Sequence, residues 1–152
     1  MKRLALASDH AAFSLKEALK PFLIEKGYEL IDFGTDSEAS CDYPDFAHPA
    51  AEAVESGRCD LGIGMCGSGN GMQMTLNKHQ GIRAALCWLP ELGKLAKEHN
   101  DANFLVLPAR FISVDEAKKI TEAYLEATFE GGRHLNRVKK IPVNISVEGE
   151  VM

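Results

Sequence analysis

No apolar run in this chain approaches the roughly 20 residues needed to cross a bilayer. The opening Met1-Lys2-Arg3-Leu4-Ala5-Leu6-Ala7 meets Asp9 and His10 too soon for a secretory leader. A cytoplasmic protein without a membrane partner is expected. The four cysteines, at positions 41, 59, 66 and 87, contain no C-x-x-C pair. A chain of 152 residues, 45% of them apolar, can bury a full core in one domain without disulfides, so all four read as reduced thiols. Cysteine and histidine do not cluster at ligand spacing, and no metal is expected. Nor is positive charge in excess. The net charge of −5 argues against nucleic acid as a partner. Internal repeats, low-complexity segments and linkers are also missing.

What is present is concentrated. The apolar run Leu61 to Met65 leads directly into Cys66-Gly67-Ser68-Gly69-Asn70-Gly71. This reads as a strand ending in a loop that side chains would clog. Glycine lets backbone N–H groups approach a ligand closely, and a helix starting at Asn70 adds the positive end of its dipole. The same field favours a thiolate at Cys66. A second feature is local: Gly131 to Lys140 holds Arg133, Arg137, Lys139 and Lys140 and no acid. A basic patch on an acidic chain suits a small anionic ligand.

Around these features the periodicities alternate. Strands are expected at Leu4 to Ala7, Tyr28 to Phe33, Asp60 to Met65, Arg83 to Cys87 and Phe104 to Leu107. Helices are expected over Ala11 to Lys26, Phe46 to Ser56, Asn70 to Lys78 and Pro90 to His99. Another runs from the Ser113/Glu116 capping box to about Phe129, and a last turn or two follows at Leu135 to Lys140. The pattern predicts an α/β fold: a three-layer α/β/α domain with a five-stranded, parallel, Rossmann-like sheet over residues 1–141. Residues 142–152 are left as an extension without an assigned structure. Ligands of such sheets bind beyond the carboxyl ends of the strands. That rule gathers Asp9 and His10 after strand one, Cys66 to Gly71 after strand three, and Arg110 after strand five.

Several chemistries fail on the residues. A cysteine phosphatase needs C-x5-R, and position 72 is Met72. A dinucleotide fold places its glycines after the first strand, not the third. A Cys66/His99 thiol hydrolase finds no local support for a leaving-group pocket. Proton transfer remains. Moving a carbonyl along a sugar needs a base at the carbon and an electrostatic hole for the enediolate. A thiolate and a glycine loop supply one each.

Taken in order, Ser8-Asp9-His10, Asp42-Tyr43-Pro44, Cys66 to Gly71, Asn77-Lys78, Gly81-Ile82-Arg83-Ala84, His99-Asn100-Asp101-Ala102-Asn103 and Glu130-Gly131-Gly132-Arg133-His134 resemble the type B ribose-5-phosphate isomerases. They also resemble that family's relatives acting on galactose 6-phosphate and allose 6-phosphate. The resemblance covers roughly residues 3 to 140. It implies Cys66 as the base between C1 and C2, with Gly67, Ser68, Gly69, Asn70 and Gly71 holding the enediolate. It implies His99 as the ring-opening acid, Asp9, His10 and Asn100 as sugar contacts, and Arg110, Arg133 and Arg137 as a phosphate clamp. It also implies no metal, no organic cofactor, and a homodimer with sites between subunits; pairing of dimers stays open. Ser68 replaces a frequent threonine and keeps the hydroxyl. One branch puts a glutamate base where Met72 stands, so Cys66 places this chain in the thiol branch.

The plainer readings are specific too. Cys41, Cys59 and Cys87 read as core. His99 suits a helix C-terminus, Asp9 a helix cap, and Arg133 and Arg137 a solvated helical face. His48, His79 and His134 read as surface or packing residues. The expected function is an aldose–ketose isomerase for ribose 5-phosphate. A hexose 6-phosphate isomerase is the alternative, or a non-catalytic sugar-phosphate binding module that would need the arginines but neither Cys66 nor His99.

Overall fold

A computed structural model of the chain describes residues 1–143 and the backbone of 146–147 and 150–151. Strands Arg3–Ser8 (β1), Glu29–Asp32 (β2), Leu61–Cys66 (β3), Ala84–Leu86 (β4) and Phe104–Pro108 (β5) form one parallel sheet in the order β2-β1-β3-β5-β4. The helices are Phe13–Glu25 (α1), Pro44–Glu55 (α2), Asn70–Leu76 (α3), Pro90–Asn100 (α4), Val114–Glu126 (α5) and Arg133–Lys139 (α6). No helix among the described residues is long and apolar enough to cross a membrane.

Side-chain alternation assigns the two faces. Leu4, Leu6, Ile63, Met65, Leu105 and Leu107 point toward a core filled by α1, α4 and α5. Ala5, Ala7, Cys66, Phe104 and Val106 point the other way, against α2 and α3. On that second face β3 carries Gly62 and Gly64 before Cys66. A Cβ at Gly62 would collide with the Phe104 ring, and one at Gly64 would come within 2.9 Å of Met72 Cγ. The small residues let Phe104 and Met72 close over the middle strand, which leaves Cys66 as the next side chain outward on that face. Met72 is fully buried there, so its role is packing.

The expected five parallel strands and the capping box are present. Ser113 Oγ accepts from Glu116 N–H, and Glu116 Oε1 accepts from Ser113 N–H. Boundaries differ for physical reasons. Residues 10–12 form a 3-10 turn capped by Asp9 before α1 begins. The α2 helix starts at Pro44, a residue pre-set for a first turn, ahead of the expected Phe46. The α5 helix ends at Glu126, short of Phe129, because Ala127 turns extended (ψ 155°) and carries the chain back toward α4. In the extension, Val143 N–H donates to Gln80 Oε1, and Ser146–Val147 (β6) pairs antiparallel with Glu150–Val151 (β7). Residues 144, 145, 148, 149 and 152 of it lie outside the described residues.

Candidate active site

Sheet register brings the first group of predicted residues to one level. Ser8 lies beside Met65, Met65 beside Leu107, and Cys66 beside Pro108. Asp9, the Cys66 loop and Arg110 therefore leave the carboxyl edge together. Cys66 is 5% exposed. Its carbonyl accepts from Ala109 N–H at 2.9 Å, and Gly67 O accepts from Arg110 N–H at 3.0 Å, so the β5 end braces the loop. The Arg110 side chain lies over Gly67, where a Cβ would meet its Nη1 at 3.2 Å. Gly69 holds φ +82° as the N-cap of α3, and a side chain there would strike Leu86. Ser68 Oγ accepts from Asn70 N–H at 3.3 Å. The remaining first-turn N–H groups of α3 have no partners within the helix.

The other residues at this edge follow the first and second strands. Asp9 is buried, and its carboxylate accepts from Ala12 N–H at 3.2 Å. It thus caps the turn, as its plainer reading expected, while standing at the ligand edge. His10 Nδ1 accepts from Cys41 N–H at 3.2 Å, so the proton of the neutral ring sits on Nε2. Thr35 N–H donates to Ser8 O, and Ser8 N–H to Gly34 O, which ties the 34–35 turn to Asp9. Asp32 supports that turn by accepting from Gly34 N–H at 2.8 Å. Burial pushes the Asp32 carboxyl up, but hydrogen bonds from Lys16 and Lys20 overcome this and hold it below the usual carboxylate range.

Two residues depart from their sequence reading here. Cys41, expected in the core, is half-buried on the loop over the carboxyl edge, with its Sγ 3.8 Å from His10 Nδ1. The polar segment around it gives no core to enter. Tyr43 carries no role of its own in the sequence, yet its ring covers Gly71: a Cβ at Gly71 would overlap it. The glycine at 71 and the aromatic at 43 were both visible in the sequence, but nothing local showed that they meet.

His99, Asn100, Arg133 and Arg137 form a second group elsewhere. His99 and Asn100 end α4, which packs on the α1/α5 face and runs back toward the start of β5. Phe104, just beyond, pairs with Gly62, four residues before Cys66. The chain therefore places Cys66 and His99 at opposite edges and on opposite faces of the sheet, whose edges lie ~13 Å apart along β5 at about 3.3 Å per residue. The α6 helix packs against α4 and brings exposed Arg133 and Arg137 with it; Arg137 Nη1 donates to Arg133 O at 3.4 Å. Glu130 and His134, the latter read only as surface or packing, join His99 here. The His99 and His134 rings stack at 4.2 Å between centroids with 14° between planes.

The potential ligand atoms of Glu130, His99 and His134 also lie within 4.8 Å of one another, close enough in distance alone for a shared metal ion. Near-parallel rings direct their nitrogen lone pairs along separate planes, so one ion cannot lie in both without unstacking them. The residues as arranged do not fit a metal centre.

Comparison with known proteins places the fold and the family. The Ribose/Galactose Isomerase family model matches residues 4–141. Ribose-5-phosphate isomerase B of Escherichia coli K12 is 43% identical over 141 residues, covering 93% of this chain and 95% of that protein. The crystal structure of a ribose 5-phosphate isomerase from Thermotoga maritima superposes with a TM-score of 0.91 at 48% identity, over 93% of this chain and 97% of that one. Ribose-5-phosphate isomerase B from Mycoplasma genitalium, with ribulose 5-phosphate bound, superposes at 0.88 with 40% identity, over 91% and 93%. The chain belongs to the ribose/galactose isomerase family.

Proposed function

We propose that this protein is an aldose–ketose isomerase that interconverts ribose 5-phosphate and ribulose 5-phosphate. The observation that carries the reading is Cys66 at the mouth of a glycine loop that is braced by the end of β5 and overlain by Arg110. The relatives named above, one of them holding ribulose 5-phosphate, support the substrate.

In the proposed reaction the Cys66 thiolate removes the C2 proton of the open-chain aldose. The electron pair moves into the C1–C2 bond and the carbonyl becomes the enediolate oxygen. The N–H groups of Gly67 to Gly71 hold that charge. The thiol then returns the proton to C1, while a proton passes from O2 to O1, and the C2 carbonyl forms. Because ribose 5-phosphate is mainly a closed ring, an earlier step is needed. His99 gives a proton to the ring oxygen as its bond to C1 breaks, and the C1 hydroxyl gives its proton to water as the C1 carbonyl forms. Asp9, His10 through its Nε2–H, and Asn100 hold the sugar hydroxyls. Arg110, Arg133 and Arg137 hold the phosphate, guanidinium forks being matched to its oxygens.

One subunit cannot assemble this set, since Cys66 and His99 lie at opposite edges and faces. A homodimer whose sites each join the Cys66 edge of one subunit to the His99 edge of its partner resolves the separation. No metal or organic cofactor takes part in the scheme. The test is turnover: ketose formation from ribose 5-phosphate by the purified protein, compared with allose and galactose 6-phosphates. Ketose formed fastest from ribose 5-phosphate, and unchanged by EDTA, is expected. Binding without turnover on all three would leave a sugar-phosphate binding module in its place.

A further inference from the structure

The end of α4 is more elaborate than a single ring-opening acid requires. Backbone bonds first fix the segment behind it. Glu130 N–H donates to Glu98 O at 3.0 Å, on the last turn of α4. Gly131 and Gly132, at φ +68° and +54°, then reverse the chain through angles that L side chains rarely adopt. His134 N–H closes the turn on Gly131 O at 3.0 Å. These bonds deliver two side chains to one imidazole. The His134 ring lies flat on that of His99, and its side chain is 13% exposed against 37% for His99. Glu130 Oε1 sits 3.6 Å from His99 Nε2 and 3.5 Å from His134 Nε2. The arrangement is a half-open ring backed by a more buried one, with a single carboxylate oxygen at the same edge of both.

We infer that Glu130 and His134 are positioning residues for His99 in ring opening, His134 by fixing the plane of its ring and Glu130 by fixing which way the ring faces. This rests on the reading of His99 as the ring-opening acid. A half-exposed histidine otherwise samples several rotamers, and proton transfer to a ring oxygen requires a settled one. Stacking on a buried ring removes tilt. A carboxylate near Nε2 of both rings favours the orientation that turns that N–H edge toward it, so the proton given to the ring oxygen leaves from Nδ1 of the protonated ring at the other edge. The distances exceed those of a hydrogen bond, so the effect is orientation by charge rather than a fixed N–H···O contact. His134 stands between Arg133 and Arg137 on one short helix. The element proposed to grip the phosphate therefore also holds the ring that opens the sugar, which sets the spacing between the phosphate and the reacting oxygen.

The experiment uses Glu130→Gln, His134→Ala, His134→Phe and His99→Asn in the full-length protein, with two assays. One is net conversion of ribose 5-phosphate, which needs ring opening. The other is solvent exchange of the C1 proton of ribulose 5-phosphate, which cannot close a five-membered ring through its phosphate-bearing oxygen. Glu130→Gln and His134→Ala should lower kcat for net conversion by at least about ten-fold, against the ~10²-fold that a 1 Å misplacement can cost. C1 exchange and KM should stay within about two-fold, since neither step uses the ring-opening geometry. His134→Phe, which keeps the stacked plane, should recover most of what His134→Ala loses. Equal losses in both assays, or no loss in either, would overturn the positioning role. His99→Asn separates the two levels: if it too fails to hurt net conversion selectively, the ring-opening reading itself falls. If it is selective and the other variants are not, only the roles of Glu130 and His134 fall.

Discussion

The Cys66 edge and the His99 edge of this protein are built on different plans. Cys66 ends the middle strand, with β1 and β5 paired on either side of it, and its loop is fixed by backbone bonds from β5. His99 ends a helix, is partly open to solvent, and depends on a glycine reversal and a neighbouring ring for its orientation. The difference follows the chemistry proposed for each. Removing a proton from carbon needs a base held close to its target, and the centre of a sheet is the most constrained place in an α/β domain. Ring opening moves protons between oxygen and nitrogen. That step tolerates a group carried by a helix end, including a helix end of another subunit.

Breaking the constrained edge should have the largest effect. Cys66→Ala should lower kcat by about 10²–10⁴-fold, the span of general acid–base catalysis, with sugar-phosphate binding changed only a few-fold. Steady-state kinetics and a direct titration with ribulose 5-phosphate check this. More than about a tenth of kcat remaining would remove Cys66 from the role of base. Alkylation is a weaker probe, because half-buried Cys41 offers a second accessible thiol beside His10. It belongs in a Cys41→Ala background.

The comparison itself breaks if both edges serve one site within a single chain. Mixing Cys66→Ala with His99→Asn protein under subunit exchange makes about half the dimers hybrid. Each hybrid would hold one intact site, so activity should return to roughly a quarter of wild type. A silent mixture with proven exchange would reject the shared site and leave the isomerase reading standing.

The two edges also differed in how far the sequence disclosed them. The Cys66 edge was legible because its signals are contiguous: an apolar run, then glycines, and a register rule that carries Asp9 and Arg110 to the same level. The glycines within the run, Gly62 and Gly64, were not explained by it, since Phe104 and Met72, which fill their space, come from other elements. The His99 edge yielded its residues one by one but not their meeting. Glu130 and His134 flank two glycines, and only the return of the chain from Ala127 to Glu98 puts them on His99. No periodicity marks that return. The same holds for Cys41 and His10, which are 31 residues apart and joined by a hydrogen bond from Cys41 N–H to the His10 ring.

A smaller effect should come from the phosphate side of the His99 edge. Arg137 is exposed and contributes, in this reading, one charge-assisted contact. Its loss in Arg137→Ala should cost about 1.5–3 kcal/mol of binding, which is roughly ten-fold or more in KM for ribose 5-phosphate. The preference over free ribose should shrink by the same factor. An unchanged ratio would move the phosphate to the glycine loop and detach α6 from the site.

The smallest effect concerns stability, and it separates the edges by pH. Lys97, two residues before His99, is buried with its ammonium 4.4 Å from the centre of the Tyr124 ring. Burial, and to a lesser degree Lys2, lower its pKa to about 8 despite Asp101. The unfolded chain keeps a value near ~10.4. Below pH 8 both states carry the charge, and folding bears the full cost of burying it. Between about pH 8 and 10.4 the unfolded chain binds more protons, so this contribution to stability rises with pH. Cys87 works in the opposite sense. Burial pushes its thiol up to about 12, so the folded state holds the extra proton and stability falls once the unfolded thiol ionises. Comparing wild type with Lys97→Met cancels that shared term. Urea unfolding at pH 7 and 9 should show wild type gaining about 1 kcal/mol relative to the variant, allowing for partial screening by water. A difference that stays flat, or reverses sign, would mean that the amine is not held uncharged against Tyr124, and that the helix ending in His99 carries no buried charge to lose.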